Sequence, residues 1–138
     1  KLLNLCLEHN TLFIVNDDVN LCKKIGADGV HLGQNDVDVP SARNLLGKKF
    51  IIGVSCHNNL ELALEAEKNG ANYIALGAVF KSKTKPNAAY CSFSMIQNIK
   101  SNINIPIVGI GGITFENQQS VLDAGCNSIA MIEDLFGH

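Results

Sequence analysis

A phrase repeated three times along the chain sets the terms of its fold. Gly26-Ala-Asp-Gly-Val-His-Leu-Gly33, Gly70-Ala-Asn-Tyr-Ile-Ala-Leu-Gly77 and Gly125-Cys-Asn-Ser-Ile-Ala-Met-Ile132 share a glycine that ends a helix and leads directly into a strand. Apolar runs bounded by turn residues recur at 11–16, 29–33, 50–55, 73–80, 105–110 and 128–132. They are near-continuous in Val, Ile, Leu and Phe, the pattern of strands buried on both faces. Strand starts near 11, 28, 50, 72, 106 and 128 give intervals of 17, 22, 22, 34 and 22, enough for parallel strands joined by helical crossovers.

Between the strands lie amphipathic stretches. The clearest spans 59–69, with Leu60, Leu62, Ala63, Leu64 and Ala66 on one side and Glu61, Glu65, Glu67 and Lys68 on the other. Asn58 followed by Glu61 predicts a capping box there. Shorter helices are expected over 39–46, 95–99 and 116–122, the last capped by Thr114. Asp18 and Asp38 read as helix-start residues.

Six β-α units in series fit either a doubly wound open sheet or a (β/α) barrel. The open sheet predicts a glycine fingerprint after the first strand, and residues 11–18 contain no glycine. A barrel places phosphate at the loops after its seventh and eighth strands, and here the fifth strand ends in Gly109-Ile-Gly111-Gly112-Ile-Thr114. If that strand is the seventh, 11–16 is the third. The expected fold is then an α/β (β/α)8 TIM barrel, with strands 3 to 8 forming one partial barrel domain over residues 1–138. Such barrels take about 200 residues or more, and this chain has 138 and begins with Lys1, so further residues are expected at both ends.

Composition narrows the function classes. Hydrophobic residues make up 46% and charged residues 17%, far from a disordered composition. The net charge of −2 lacks the basic footprint of a nucleic-acid binder, so an anion site must be local. Cys6, Cys22, Cys56, Cys91 and Cys126 fit neither a metal pair nor a disulfide framework and are expected as free thiols in a reducing, cytoplasmic setting. No run approaches the ~20 apolar residues of a membrane span.

In a barrel, reactive groups gather just past the carboxyl ends of strands. The first strand ends in Asn16-Asp17-Asp18 and the second in Gly33-Gln34-Asn35-Asp36. Carboxylates there supply hard oxygen ligands suited to Mg2+, the alternative being solvated turn residues; Asp17 and Asp36 are the candidate metal ligands. The segment Phe80-Lys81-Ser82-Lys83-Thr84-Lys85-Pro86 fills the one enlarged interval and offers ammonium and hydroxyl groups to an anion such as pyrophosphate, or is simply an exposed loop. Gly109 to Gly112 forms a second candidate anion cradle. Ser55 could donate into the site or be satisfied at its strand end. His31, within a strand, is expected as a structural or pocket-lining imidazole, and His57 as a ligand contact at most. No Ser/His/Asp or Cys/His arrangement supports nucleophilic catalysis.

These residues resemble the thiamine-phosphate synthase family. The likeness runs from Leu12 to the end and rests on Leu12-Phe-Ile-Val-Asn16-Asp17, the stretch Gly26 to Asp36, Ile52-Gly-Val-Ser55, Ala78-Val-Phe80 with Ser82, Thr84 and Lys85, and Val108-Gly-Ile-Gly-Gly-Ile113. It implies a Mg2+-dependent transferase joining hydroxymethylpyrimidine pyrophosphate to a thiazole phosphate, with release of pyrophosphate. Asp17 and Asp36 would hold the metal. Asn16 and Lys85 would contact the pyrophosphate-bearing substrate, Ser55 would support its pyrophosphate or pyrimidine, and Asn16, Ser55 and Lys85 would form the catalytic set. Ser82 and Thr84 would lie beside the thiazole phosphate, held by backbone amides around Gly111, Ile132 and Glu133. The partners implied are these small phosphorylated molecules, with no nucleic acid or membrane, together with either a homo-oligomer or a completing N-terminal segment. Three departures stand out: no Gln-x-Arg-x-Lys segment, Ile132-Glu133 where the family commonly has Ile-Ser, and no later Pro and Gly in 87–92. The alternatives are a thiazole tautomerase and a noncatalytic phosphate-binding module.

Overall fold

The computed structural model describes residues 1–81 and 87–136. Helix α1 (Leu2–Glu8) precedes five β-α pairs: β1 (Ile14–Asn16) and α2 (Val19–Ile25), β2 (Gly29–Leu32) and α3 (Val39–Leu46), β3 (Ile51–His57) and α4 (Leu60–Lys68), β4 (Tyr73–Leu76) and α5 (Phe93–Lys100), β5 (Ile107–Ile110) and α6 (Gln118–Asp123). Strand β6 (Ser128–Ala130) and the short α7 (Glu133–Phe136) complete the described chain. All six strands are parallel and lie in sequence order, β1-β2-β3-β4-β5-β6, as a half-barrel wall. Sequential order excludes the doubly wound sheet, whose strand order reverses at its switch point. No described helix is long and apolar enough to cross a membrane.

The two faces of the wall differ. Val30, Leu32, Ile52, Val54, Cys56, Ile74, Leu76 and Ile107 point toward the helices and are buried with Cys22, Ala42, Ala63, Ile96, Ile99 and Val121. Intervening residues such as His31, Ser55, Tyr73, Val108 and Ile110 are only half-buried. The expectation of strands covered on both faces thus holds on the helix side only. Period-two alternation puts every second side chain into the lumen, and there polar groups replace helix contacts.

The repeated phrase has a structural cause. In each copy the third residue forms a two-way latch to the strand before it. Asp28 donates its amide to the Phe13 carbonyl (3.0 Å) and accepts the Phe13 amide on Oδ2 (2.7 Å). Asn72 does the same with Ile52 (2.7 and 2.8 Å), and Asn127 with Ile107 (2.8 and 3.0 Å). These amides sit where strands enter the sheet, and a buried amide there needs an acceptor that the ladder does not supply. Arg43 reinforces the middle latch, donating to Asn72 Oδ1 (2.7 Å) and to the carbonyls of Phe50 (2.6 Å), Gly47 (3.0 Å) and Gly70 (3.1 Å).

Helix starts follow side-chain chemistry, with two corrections. Asp18 and Asp38 cap α2 and α3 as expected, accepting from Leu21 (2.8 Å) and Ser41 (2.7 Å). The α4 cap is Asn59, not Asn58, since only Asn59 Oδ1 reaches the Leu62 amide (3.0 Å); the Asn58 side chain instead donates to the Tyr90 carbonyl (3.0 Å). At α6 the cap position is Asn117, not Thr114; the two residues close a ring in which Asn117 Oδ1 accepts from Thr114 N (2.8 Å) and Thr114 Oγ1 from Asn117 N (3.3 Å). The 73–80 strand ends at Leu76, because the amide of Ala78 turns to Ala89 (2.7 Å) and those of Val79 and Phe80 to Ile110 and Gly111 (both 3.0 Å). Helix α1, not anticipated, has no buried residue and exposes Leu2, Leu5 and Leu7.

Candidate functional site

Every strand delivers its carboxyl end to one side of the wall, and the candidate residues collect there. Asn16 is the last residue of β1, paired with His31. Asp17 follows in the left-handed region (φ 63°), its amide donating to the His31 carbonyl (2.9 Å). Only a few per cent of non-glycine residues adopt that conformation, and they concentrate at functional positions. Asp36 folds back onto the end of β2, with Oδ2 accepting from the Gly33 amide (2.7 Å). The two carboxylates therefore stand at the ends of neighbouring strands. Asp38 serves its helix instead; the Ser41 backbone amide, and then its hydroxyl, hold the Asp38 carboxyl below the ordinary carboxylate value.

Ser55 does not end its strand, as the sequence implied. β3 continues to His57, with a register slip between Ser55 and His57 where the chain meets β4. His57 also lies in the left-handed region (φ 54°) and is exposed, and its carbonyl accepts from Gly77 (3.0 Å). On the inner face of the wall His31 lies between two hydroxyls: Nδ1 is 2.9 Å from Tyr73 Oη and Nε2 2.9 Å from Ser55 Oγ. A side chain at Gly53 would overlap the Tyr73 ring, so the missing Cβ is what lets that ring cross β3 to reach His31. Sequence reasoning missed Tyr73; its signal was the alternation that puts Tyr73 and Ala75 on the lumen face of β4, with Gly53 opposite Tyr73. Gln34, also missed, donates to the Ser55 carbonyl (2.6 Å) and ties the loop after β2 to β3.

On the far side, Gly111 (φ 97°) and Gly112 (φ 62°) form the turn after β5. A Cβ at Gly111 would overlap Ala78, and the Gly111 carbonyl accepts from Phe80 (3.0 Å). The glycine turn is thereby packed against Ala78 and Phe80 on the segment leaving β4. Ser82, Thr84 and Lys85 lie outside the described residues. β6 ends at Ala130, earlier than expected; Ile132 follows in a bend and Glu133 opens α7. Asp134 Oδ2 accepts from Phe115 N (2.8 Å), which joins α7 to the glycine turn. A cleft of about 300 Å3 between α2 and α3 includes Asp17 but none of the other mouth residues, so it is not this site.

All five cysteines are free. Burial pushes the Cys56 thiol up to about 12 and those of Cys91 and Cys126 to about 11, far from a nucleophile's range.

Fold and mouth together define a class: a parallel β-α protein of barrel type, with carboxylates, amides and hydroxyls gathered at the carboxyl ends of its strands. A family model described as thiamine monophosphate synthase matches residues 1–135, and the chain belongs to that family. It is 47% identical over 136 residues to a thiamine-phosphate synthase of Nitrosococcus oceani, covering 99% of this chain and 63% of that protein. A thiamine-phosphate synthase of Saccharophagus degradans is 48% identical over 132 residues, covering 96% of this chain and 61% of that protein. Among solved structures, a thiamine phosphate pyrophosphorylase from Pyrococcus furiosus superposes with a TM-score of 0.90 at 37% identity, over 99% of this chain and 65% of that one. A mutant FabK from Thermotoga maritima, at 17% identity and a TM-score of 0.74 over 91% of this chain and 44% of that one, shares the fold alone. The chain spans somewhat less than two thirds of the length of these curated relatives.

Proposed function

We propose that the protein is a thiamine-phosphate synthase: it joins hydroxymethylpyrimidine pyrophosphate to a thiazole phosphate and releases pyrophosphate. The observation that carries this reading is the juxtaposition, in a member of this family, of Asn16, Asp17, Asp36 and Ser55 on three neighbouring strands with a glycine turn two strands away. In the same reading the wall supplies strands 3 to 8 of an eight-stranded barrel. β1 and β6 each have one strand neighbour among the described residues, and the exposed apolar side chains include Leu2, Leu5 and Leu7 on α1 and Ile132, Leu135 and Phe136 around α7. A cytoplasmic location fits five free thiols.

The donor set fits Mg2+. Asp17 has no side-chain partner among the described residues, and Asp36 keeps one carboxylate oxygen free of the Gly33 contact, so these two carboxylates are the groups that would hold the ion. Two carboxylates with water and phosphate oxygens completing the shell is the pattern magnesium prefers. Bound there, the ion would neutralise charge on the departing pyrophosphate. Asn16 and Lys85 would hold pyrophosphate oxygens, and Ser55 would steady the same substrate. Ser82 and Thr84 would border the thiazole phosphate, with backbone amides around Gly111, Ile132 and Glu133 receiving its oxygens. The thiazole nitrogen then forms a bond to the pyrimidine methylene carbon as the carbon–oxygen bond to pyrophosphate breaks. Positioning and charge stabilisation supply the rate.

The test is pyrophosphate release by the intact protein from the two precursors with and without Mg2+. Stoichiometric release with thiamine phosphate formed supports the proposal; tautomerisation of the thiazole alone, or phosphate binding without turnover, overturns it.

A further inference from the structure

We infer that Tyr73, His31 and Ser55 form a polarised hydrogen-bond chain through the lumen that fixes Ser55 as a donor to an anionic substrate oxygen, with Tyr73 and His31 as positioning residues. The inference rests on the proposed reading that a pyrophosphate-bearing substrate enters this mouth.

The chain spans three strands at two 2.9 Å contacts, from the Tyr73 phenol through both imidazole nitrogens to the Ser55 hydroxyl. A neutral imidazole has one donor and one acceptor nitrogen, so two polarities exist and they have opposite consequences for Ser55. If Nδ1 carries the proton, Nε2 accepts the Ser55 hydrogen, and Ser55 can only accept from substrate. If Nε2 carries it, Ser55 accepts from His31 and keeps its own hydrogen to donate.

The Tyr73 contact on Nδ1 favours the second polarity. The half-buried Tyr73 phenol has its pKa raised by desolvation, so it remains protonated at neutral pH. A phenol is a better donor and a poorer acceptor than an aliphatic hydroxyl, which directs its proton to Nδ1 and leaves the proton on Nε2. Packing fixes the origin of the chain, since the Tyr73 ring lies across Gly53 with its plane tilted 31° to His31 and the centroids 5.5 Å apart. At the other end Ser55 is half-buried and has no second hydroxyl partner among the described residues. Its carbonyl is held by Gln34 (2.6 Å), which keeps the residue in place. The outcome is a Ser55 O–H left available to donate, for which an anionic oxygen is the complementary group.

Two measurements on the intact protein test this. Nitrogen NMR of the histidine-labelled protein should show His31 protonated at Nε2, and Tyr73→Phe, which keeps the ring over Gly53, should shift it toward the Nδ1 form. Binding of inorganic pyrophosphate by calorimetry should weaken about fivefold in Tyr73→Phe and at least as much in Ser55→Ala, the loss of roughly one hydrogen bond. The double variant should bind no more weakly than Ser55→Ala. An Nδ1-protonated His31 in the parent, or additive losses in the double variant, overturns the chain. Failure of the parent to bind pyrophosphate overturns the functional reading instead, while the tautomer still decides the polarity.

Discussion

Replacing Asn72 with alanine tests the latch that gives the repeated phrase its meaning. Asn72 Oδ1 is the acceptor for the part-buried Ile52 amide (2.8 Å) and for Arg43 Nη2 (2.7 Å). Alanine leaves the Ile52 N–H without an acceptor at the entrance to the longest strand; an unsatisfied buried amide costs about 1–3 kcal/mol. The Arg43 contact is exposed and adds at most about 0.5 kcal/mol. The expected loss is therefore about 2 kcal/mol, roughly 8 °C in Tm for a chain of this size. Urea unfolding of the intact protein with an unchanged m-value measures it. Asn72→Asp keeps an oxygen at the same point and should lie within about 0.5 kcal/mol of the parent. The latch account is wrong if Asn72→Ala is equally well tolerated, or if Asn72→Asp is as damaging as alanine. Asp28 and Asn127 share no partner with Asn72, so losses at the three latches should add.

Four further outcomes are expected, the first from the proposed function and the others from the geometry. Asp17→Asn and Asp36→Asn should each lower pyrophosphate-releasing activity about 100-fold or more and raise the Mg2+ concentration needed for half-maximal rate, read by titrating the metal at fixed substrate; an unchanged metal requirement in both would remove them as ligands. Gly53→Ala should displace the Tyr73 ring, costing about 1–3 kcal/mol by overpacking and abolishing the His31 tautomer preference, checked by denaturation and NMR. Cys56, Cys91 and Cys126 should resist alkylation at pH 8 while Cys6 reacts, with the rest released by urea. Because these three folded-state values are raised above the ordinary 9.0, their contribution is intact below about pH 9 and is lost as pH climbs toward 11 to 12, so unfolding free energy should fall across that window.

Much of the wall was legible because its signal is local. The phrase beginning at Gly26, Gly70 and Gly125 marks a helix end and a strand start, and Asp18 and Asp38 announce helices whose first-turn amides they accept. Strand ends were less legible. The apolar run 73–80 reads as one strand, yet from Ala78 onward its amides serve Ala89, Ile110 and Gly111, partners that no local pattern specifies. The same limit moved two helix caps. Asn58 and Asn59 are equivalent in sequence, and only the backbone path decides which one reaches the Leu62 amide.

For the candidate site, the chemical inventory could be read from the amino acids alone: carboxylates at 17 and 36 just past strands, a hydroxyl at 55 and a double glycine at 111–112. It was legible because parallel β-α units always send strand ends to one side. How that inventory is wired depends on the assembled sheet. Tyr73 and His31 lie 42 positions apart and His31 and Ser55 lie 24 apart, and their contact depends on strand register and on the absence of a side chain at Gly53. Register across neighbouring strands is set by the packing of the whole wall, so a network that runs across strands becomes visible only when the strands are in place.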